Sequence, residues 1–121
     1  MLNLDTNIFI RAYAGDLRTD ERDLLGAETW SVSAMVLWEI ERLRRSGVAR
    51  YGIDDPDLRQ MLIGTRIWPI SPSVCLATRQ LDFESDPADE LIAATSIAHN
   101  VPLLTRDTRM LGSKVVPLAL R

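Results

Sequence analysis

Four acidic residues stand where a carboxylate could act on a ligand: Asp5 after the apolar run at the N-terminus, Glu39 within an amphipathic segment, Asp89 just after Pro87, and Asp107 just after Leu103–Thr105. Singly, each has an ordinary explanation. Asp5-Thr6-Asn7 reads as a helix N-cap, and Asp107 as a turn residue. Asp86-Pro87-Ala88-Asp89 reads as a capping arrangement, with an acid at the cap, proline at the first helical position and a second acid favoured by the helix dipole. Glu39 could be a solvated helix acid like Glu41. Yet it lies three residues after Val36 and four before Leu43, on their apolar side, where a carboxylate must find a hydrogen-bond donor, a cation or a metal. Gathered at one end of a sheet, the four would repel strongly, on the order of 4 kcal/mol for a pair ~4 Å apart at an effective dielectric near ~20. Such a cluster persists when a cation neutralises it or when some members stay protonated. Oxygen-only ligands select a hard ion, Mg2+ or Mn2+, and carboxylate-held ions of that kind serve phosphate chemistry.

The elements needed to gather these acids are legible in the apolar patterning. Met1–Asp5, Thr29–Val32, Ile67–Ile70, Leu103–Thr105 and Val115–Leu118 read as short strands, the third an edge strand because of Pro69. Between them, Asn7–Ala14, Leu17–Leu25, Ala34–Arg45, Leu58–Ile63, Pro72–Leu81 and Pro87–His99 read as helices, with Gly26 and Gly47 as stops and Ser33 as an N-cap. Strands separated by helices, with no hairpin signal, imply an α/β fold whose parallel sheet is covered on both faces. Ligands bind such sheets beyond the carboxyl ends of the strands, where Asp5, Glu39, Asp89 and Asp107 all fall.

The 121 residues, 46% apolar and 26% charged, suit one domain over 1–121 with enough core to fold without a disulfide or structural zinc. The lone Cys75 reads as a buried apolar residue. No apolar run is long enough to span a bilayer and MLNLDTN lacks the pattern of a secretory signal, so a cytoplasmic protein with no membrane partner is expected. A net charge of −3 argues against holding a polyanion by bulk electrostatics. Nucleic acid would be held locally, or through bound cations. Of the 14 basic residues only Lys114 is a lysine, and Arg42, Arg44, Arg45 and Arg50 make the one dense basic stretch, either a dipole-complementing helix end or a phosphate track. Trp38 and Trp68 are of the type that stacks bases but read as core residues, and His99 reads as a surface or dipole-capping one.

In order and spacing, LDTN, SAMVLWEI, DPADELIAATS and LLTRD resemble the PIN domains, and among them the VapC-type ribonuclease toxins of toxin–antitoxin pairs, from Asn3 to about Val116. The resemblance implies a three-layer α/β/α sandwich around a central parallel sheet and a Mg2+- or Mn2+-dependent endoribonuclease. It implies an RNA substrate, a small VapB-like antitoxin that blocks the site, and a homodimer, for which Trp30, Leu37 and Trp38 could supply an apolar patch. It assigns metal-holding catalytic roles to Asp5, Glu39, Asp89 and Asp107, and supporting ones to Thr6, Asn7, Thr105 and Asp86, the last as a cap. Arg42, Arg44 and Arg45 are then the candidate RNA contacts. Glu90 departs from the arginine that many relatives carry, and Ser46–Asp57 matches only loosely. Two rival readings share an acidic pocket. A PIN fold used only to bind protein would keep the architecture without cleavage. A receiver-type signalling domain needs an acid ending a middle strand and a lysine after a late one, whereas Asp54, Asp55 and Asp57 follow a poor strand and Lys114 is the sole lysine.

Overall fold

A computed structural model describes residues 1–121. Strands β1 (Leu2–Leu4), β2 (Trp30–Ser33), β3 (Thr65–Trp68) and β4 (Leu103–Leu104) form one all-parallel sheet in the order β3-β2-β1-β4. Helices α1 (Thr6–Ala14) and α2 (Thr19–Ala27) join β1 to β2, and α3 (Ala34–Arg45) and α4 (Pro56–Ile63) join β2 to β3. The return to β4 runs through α5 (Pro72–Ala77), a 3-10 turn at Thr78–Gln80 and α6 (Pro87–His99), and α7 (Thr108–Leu111) follows. Two crossovers step from β1 to β3 in one direction and the third returns past β1, so right-handed connections put α1–α4 on one face and α5–α6 on the other. The α/β class and the parallel central sheet are those implied by the sequence. No helix is long and apolar enough to cross a membrane.

Side chains alternate along β1. Leu2 and Leu4 join Ile8, Phe9, Val32, Val36 and Ile40 in the main buried cluster, which also takes in Ile92 and Ala93 of α6, while Asn3 binds that helix directly. Its amide donates to Ile92 O at 3.1 Å and Ser96 Oγ at 2.9 Å, a polar clamp that seats α6 on the sheet.

Several boundaries differ from the patterning. β3 spans Thr65–Trp68 rather than Ile67–Ile70, because it pairs with β2 from Trp30↔Thr65 to Ser33↔Trp68 and Pro69 has no N–H to continue. α2 passes through Gly26 and stops only where Glu28 turns to extended backbone leading into β2. Val115–Leu118 is no strand but a single bridge, Leu103↔Leu118. Pro117 cannot donate to a ladder, and the Ser113 hydroxyl accepts from Val115 N–H and Val116 N–H to make a turn instead. Gly47, just past α3, has φ 81° and makes the left-handed stop its position suggested.

Candidate functional site

The sheet changes direction of winding between β1 and β4, and parallel sheets hold ligands beyond the strand ends at such a point. A cavity of about 320 Å³ lies there, lined by Asp5, Thr6, Asn7, Ile10, Glu39, Leu43, Asp89, Arg106 and Asp107. The four predicted acids thus reach one cleft from the end of β1, the second turn of α3, the first turn of α6 and the loop after β4.

Local hydrogen bonds explain how each is held. Asp5 caps α1, its Oδ1 accepting from Thr6 N–H at 2.8 Å, while its Oδ2 accepts from the Thr105 hydroxyl at 2.7 Å. The same Thr105 oxygen accepts from Asp107 N–H at 3.0 Å. Asp107 in turn caps α7, accepting from Arg109 N–H and Met110 N–H at 2.9 and 3.2 Å. Capping and cleft-lining are therefore one role at these two acids, not alternatives. The Thr6 hydroxyl donates to Glu39, and the Ser85 hydroxyl donates to Asp89 Oδ2 at 2.8 Å. Asn7 is exposed on the rim.

Burial and mutual repulsion act on the carboxyls together. Asp5 is pushed up to about 6, first by burial and then by the charges of Asp89 and Glu39, against the hydrogen bonds from Thr105 and Thr6. Burial also raises Glu39, with Asp89 adding to it while Thr6 and Arg42 oppose, and raises Asp89, with Asp107 and Asp86 adding to it while Ser85 opposes. No three of these carboxylates are drawn close enough to enclose an ion. Each acid turns to a hydroxyl or a backbone N–H rather than toward its neighbours. The donor set still suits a hard divalent cation. Every acidic or ligating group on the cleft wall presents oxygen, no histidine or thiol lines it, and the raised carboxyls are those that a cation would relieve.

One cation faces the cleft, Arg106, which carried no expectation. Its Nε and Nη2 bind the two oxygens of Glu21 at 2.8 and 2.5 Å, a pair whose side chains are 18% and 3% exposed. This pair fastens α2 to the loop bearing Asp107. Its signals in the sequence were adjacency alone, Arg106 between Thr105 and Asp107, and an acid on a polar helix. Ser85 and Asn3 were likewise unforeseen, since a serine in a loop and an asparagine in a strand have no distinguishing pattern.

Other expectations need correction. Trp38 is 48% exposed rather than core, whereas Trp68 is buried as expected. Trp30 donates to Leu25 O and Leu37 is partly covered, so the apolar patch expected of Trp30, Leu37 and Trp38 reduces mainly to Trp38. Cys75 is exposed, not buried. Asp86 occupies the N-cap position of α6, but its side chain makes no capping hydrogen bond; Glu90 instead accepts from Ser85 N–H across that helix start. Asp86 lines an adjoining cavity with Arg42, outside the acidic cleft. Arg44 and Arg45 sit exposed on the last turn of α3, away from the cleft wall. His99 is half-buried and stacks on Trp68, ring centroids 4.0 Å apart.

The family profile described as PIN domain matches residues 3–112. No curated protein matches significantly. Among solved structures, the chain is similar in fold to VapBC2 from Rickettsia felis bound to a DNA fragment from its promoter, at 22% identity and TM-score 0.69, covering 98% of this chain and 97% of that one. A toxin–antitoxin complex from Klebsiella pneumoniae gives 22% identity and TM-score 0.70, over 93% and 91% of the two chains. FitAcB from Neisseria gonorrhoeae gives 23% and 0.66, over 98% and 96%.

Proposed function

The chain belongs to the PIN-domain family, and from that premise we propose that it is a Mg2+- or Mn2+-dependent endoribonuclease, the toxin partner of a VapB-like antitoxin. The observation that carries this reading is the meeting of Asp5, Glu39, Asp89 and Asp107, from four separate parts of the chain, on one cleft. The solved complexes of similar fold, described as VapBC and toxin–antitoxin assemblies, support an antitoxin partner. Asp5, Glu39 and Asp89 would hold the ion, with Asp107 at its margin. An ion bound there would offset the acids' charge, attract a phosphodiester into an otherwise repulsive cleft and make a water easier to deprotonate.

The chain's own residues prepare that cleft. Thr105, Thr6 and Ser85 each hold one carboxylate by a hydroxyl, which keeps the acids apart on the cleft wall until an ion draws them together. Arg106, with Nε and Nη2 engaged by Glu21, keeps Nη1 for a phosphate oxygen and is itself held rigid. Ile10 and Leu43 give the cleft a dry flank.

The test is cleavage of single-stranded RNA by the purified chain with Mg2+ or Mn2+, against the same reaction in EDTA. Cleavage is expected only with the ion, and is expected to vanish in Asp5→Asn. A folded protein that binds an antitoxin yet cuts nothing with either ion would make this a PIN fold used for protein binding alone. The receiver-type reading is set aside by the family.

A further inference from the structure

A second cavity, about 310 Å³, adjoins the acidic cleft and shares Glu39 with it. Met35, Trp38 and Arg42 of α3 line one side, and Asp86 and Pro87 at the start of α6 the other. The Arg42 guanidinium lies over one face of the Trp38 ring, 5.5 Å from its centroid, and the indole is 48% exposed. A partly exposed indole beside a polar cleft, with a guanidinium next to it, is a surface on which an unpaired base stacks. The Asp86 side chain makes no capping hydrogen bond, and its carboxylate faces the cavity with no donor of α6 engaged. With Glu39 it makes this cavity hostile to a phosphate and receptive to a neutral ring that presents N–H groups.

Among the four bases only guanine offers one carboxylate two adjacent donors, N1–H and the N2 amino group. Adenine and cytosine offer one amino group beside an acceptor, and uracil one N–H between two carbonyls. Arg42 carries donors suited to guanine O6 and N7. We propose that this cavity takes an unpaired guanine of the RNA strand, stacked on Trp38 and read by Asp86, beside the phosphate destined for the acidic cleft. The inference rests on the RNA-cleaving reading above and adds a base preference to it.

Binding tests it separately from cleavage. The probe is a labelled single-stranded hexaribonucleotide with one guanine among adenines, and its twin with inosine, which lacks only the N2 amino group. Anisotropy is followed with Ca2+ in place of Mg2+. The natural chain should bind the guanine probe about tenfold more tightly, and Asp86→Asn should bind the two alike. Trp38→Ala should weaken both by about tenfold, with Trp38→Phe recovering most of the loss. Equal affinities in the natural chain, an unchanged ratio in Asp86→Asn, or no binding of either probe would overturn the proposal. So would discrimination intact in Trp38→Ala alongside a fall from dimer to monomer in light scattering, which assigns the cavity to a second copy. Tight binding of an arginine-rich peptide without guanine preference would overturn it in favour of a protein partner. A chain that discriminates but never cuts removes the nuclease reading alone; one that cuts without discriminating removes the guanine site alone.

Discussion

Asp5 shows what a single residue carries. It begins α1, closes β1 and lies beneath two other acids, and its carboxyl is raised from 3.8 to about 6. The folded state therefore holds that proton more tightly than the unfolded chain does. The associated stability is complete below pH 3.8 and is lost as pH rises through about 6. Asp5→Asn should accordingly stabilise the metal-free protein by about 1–2 kcal/mol above neutrality, less than the full shift because the Thr6 and Thr105 bonds are imperfectly replaced. The gain should shrink to nothing near about pH 4, where the natural carboxyl is already protonated. Urea titrations in EDTA at the two pH values check this, and a variant less stable than the natural chain at high pH would contradict it. Asp86→Asn should cost less than about 0.5 kcal/mol, since no capping bond exists to lose. The four acids were legible because carboxylates at strand ends and on an apolar helix side are conspicuous. Trp38 was misjudged because Met35, Val36 and Leu37 before it are apolar, while in space it lies beside Asp86 of a distant helix start, which no periodicity reveals.

Among the elements, α2 and the loop after β4 depend on each other through Glu21 and Arg106. Glu21 is lowered from 4.5 to about 2, chiefly by its hydrogen bonds with Arg106. Stability from this depressed carboxyl is complete above pH 4.5 and disappears as pH falls through about 2. Glu21→Gln leaves a guanidinium with little solvent and should cost about 3 kcal/mol, read as a lower urea midpoint at neutral pH and a weaker acid transition. An unchanged midpoint would show that the pair is merely neutral. Ser33 accepts from Met35 N–H at the start of the helix that presents Glu39, so Ser33→Ala should cost about 1 kcal/mol. Helix starts were read well because caps and prolines mark them locally. Strand limits were not, since β3 takes its register from β2 and the Val115–Leu118 segment is deflected by Pro117 and Ser113.

Over the whole molecule, an acidic protein of net charge −3 concentrates carboxylates at a single cleft and holds them apart with hydroxyls. A divalent ion that prefers the folded cleft should stabilise the fold by about 2.7 kcal/mol at roughly 100 times its dissociation constant. Thermal melts with and without Mg2+ should differ by several degrees for the natural chain and hardly at all for Asp5→Asn. Equal shifts in both would place the ion elsewhere. The fold class was legible as a whole because alternating strands and helices admit few topologies. The absence of a ready-made ion cage was not, because it depends on angles between side chains rather than on residue types.

The hydrogen bond from Thr105 to Asp5 joins residues 100 positions apart. A nascent chain halted before Leu103 lacks both β4 and the hydroxyl that seats its earliest acid, so the first carboxylate synthesised waits for these late residues before it has a cleft wall to join.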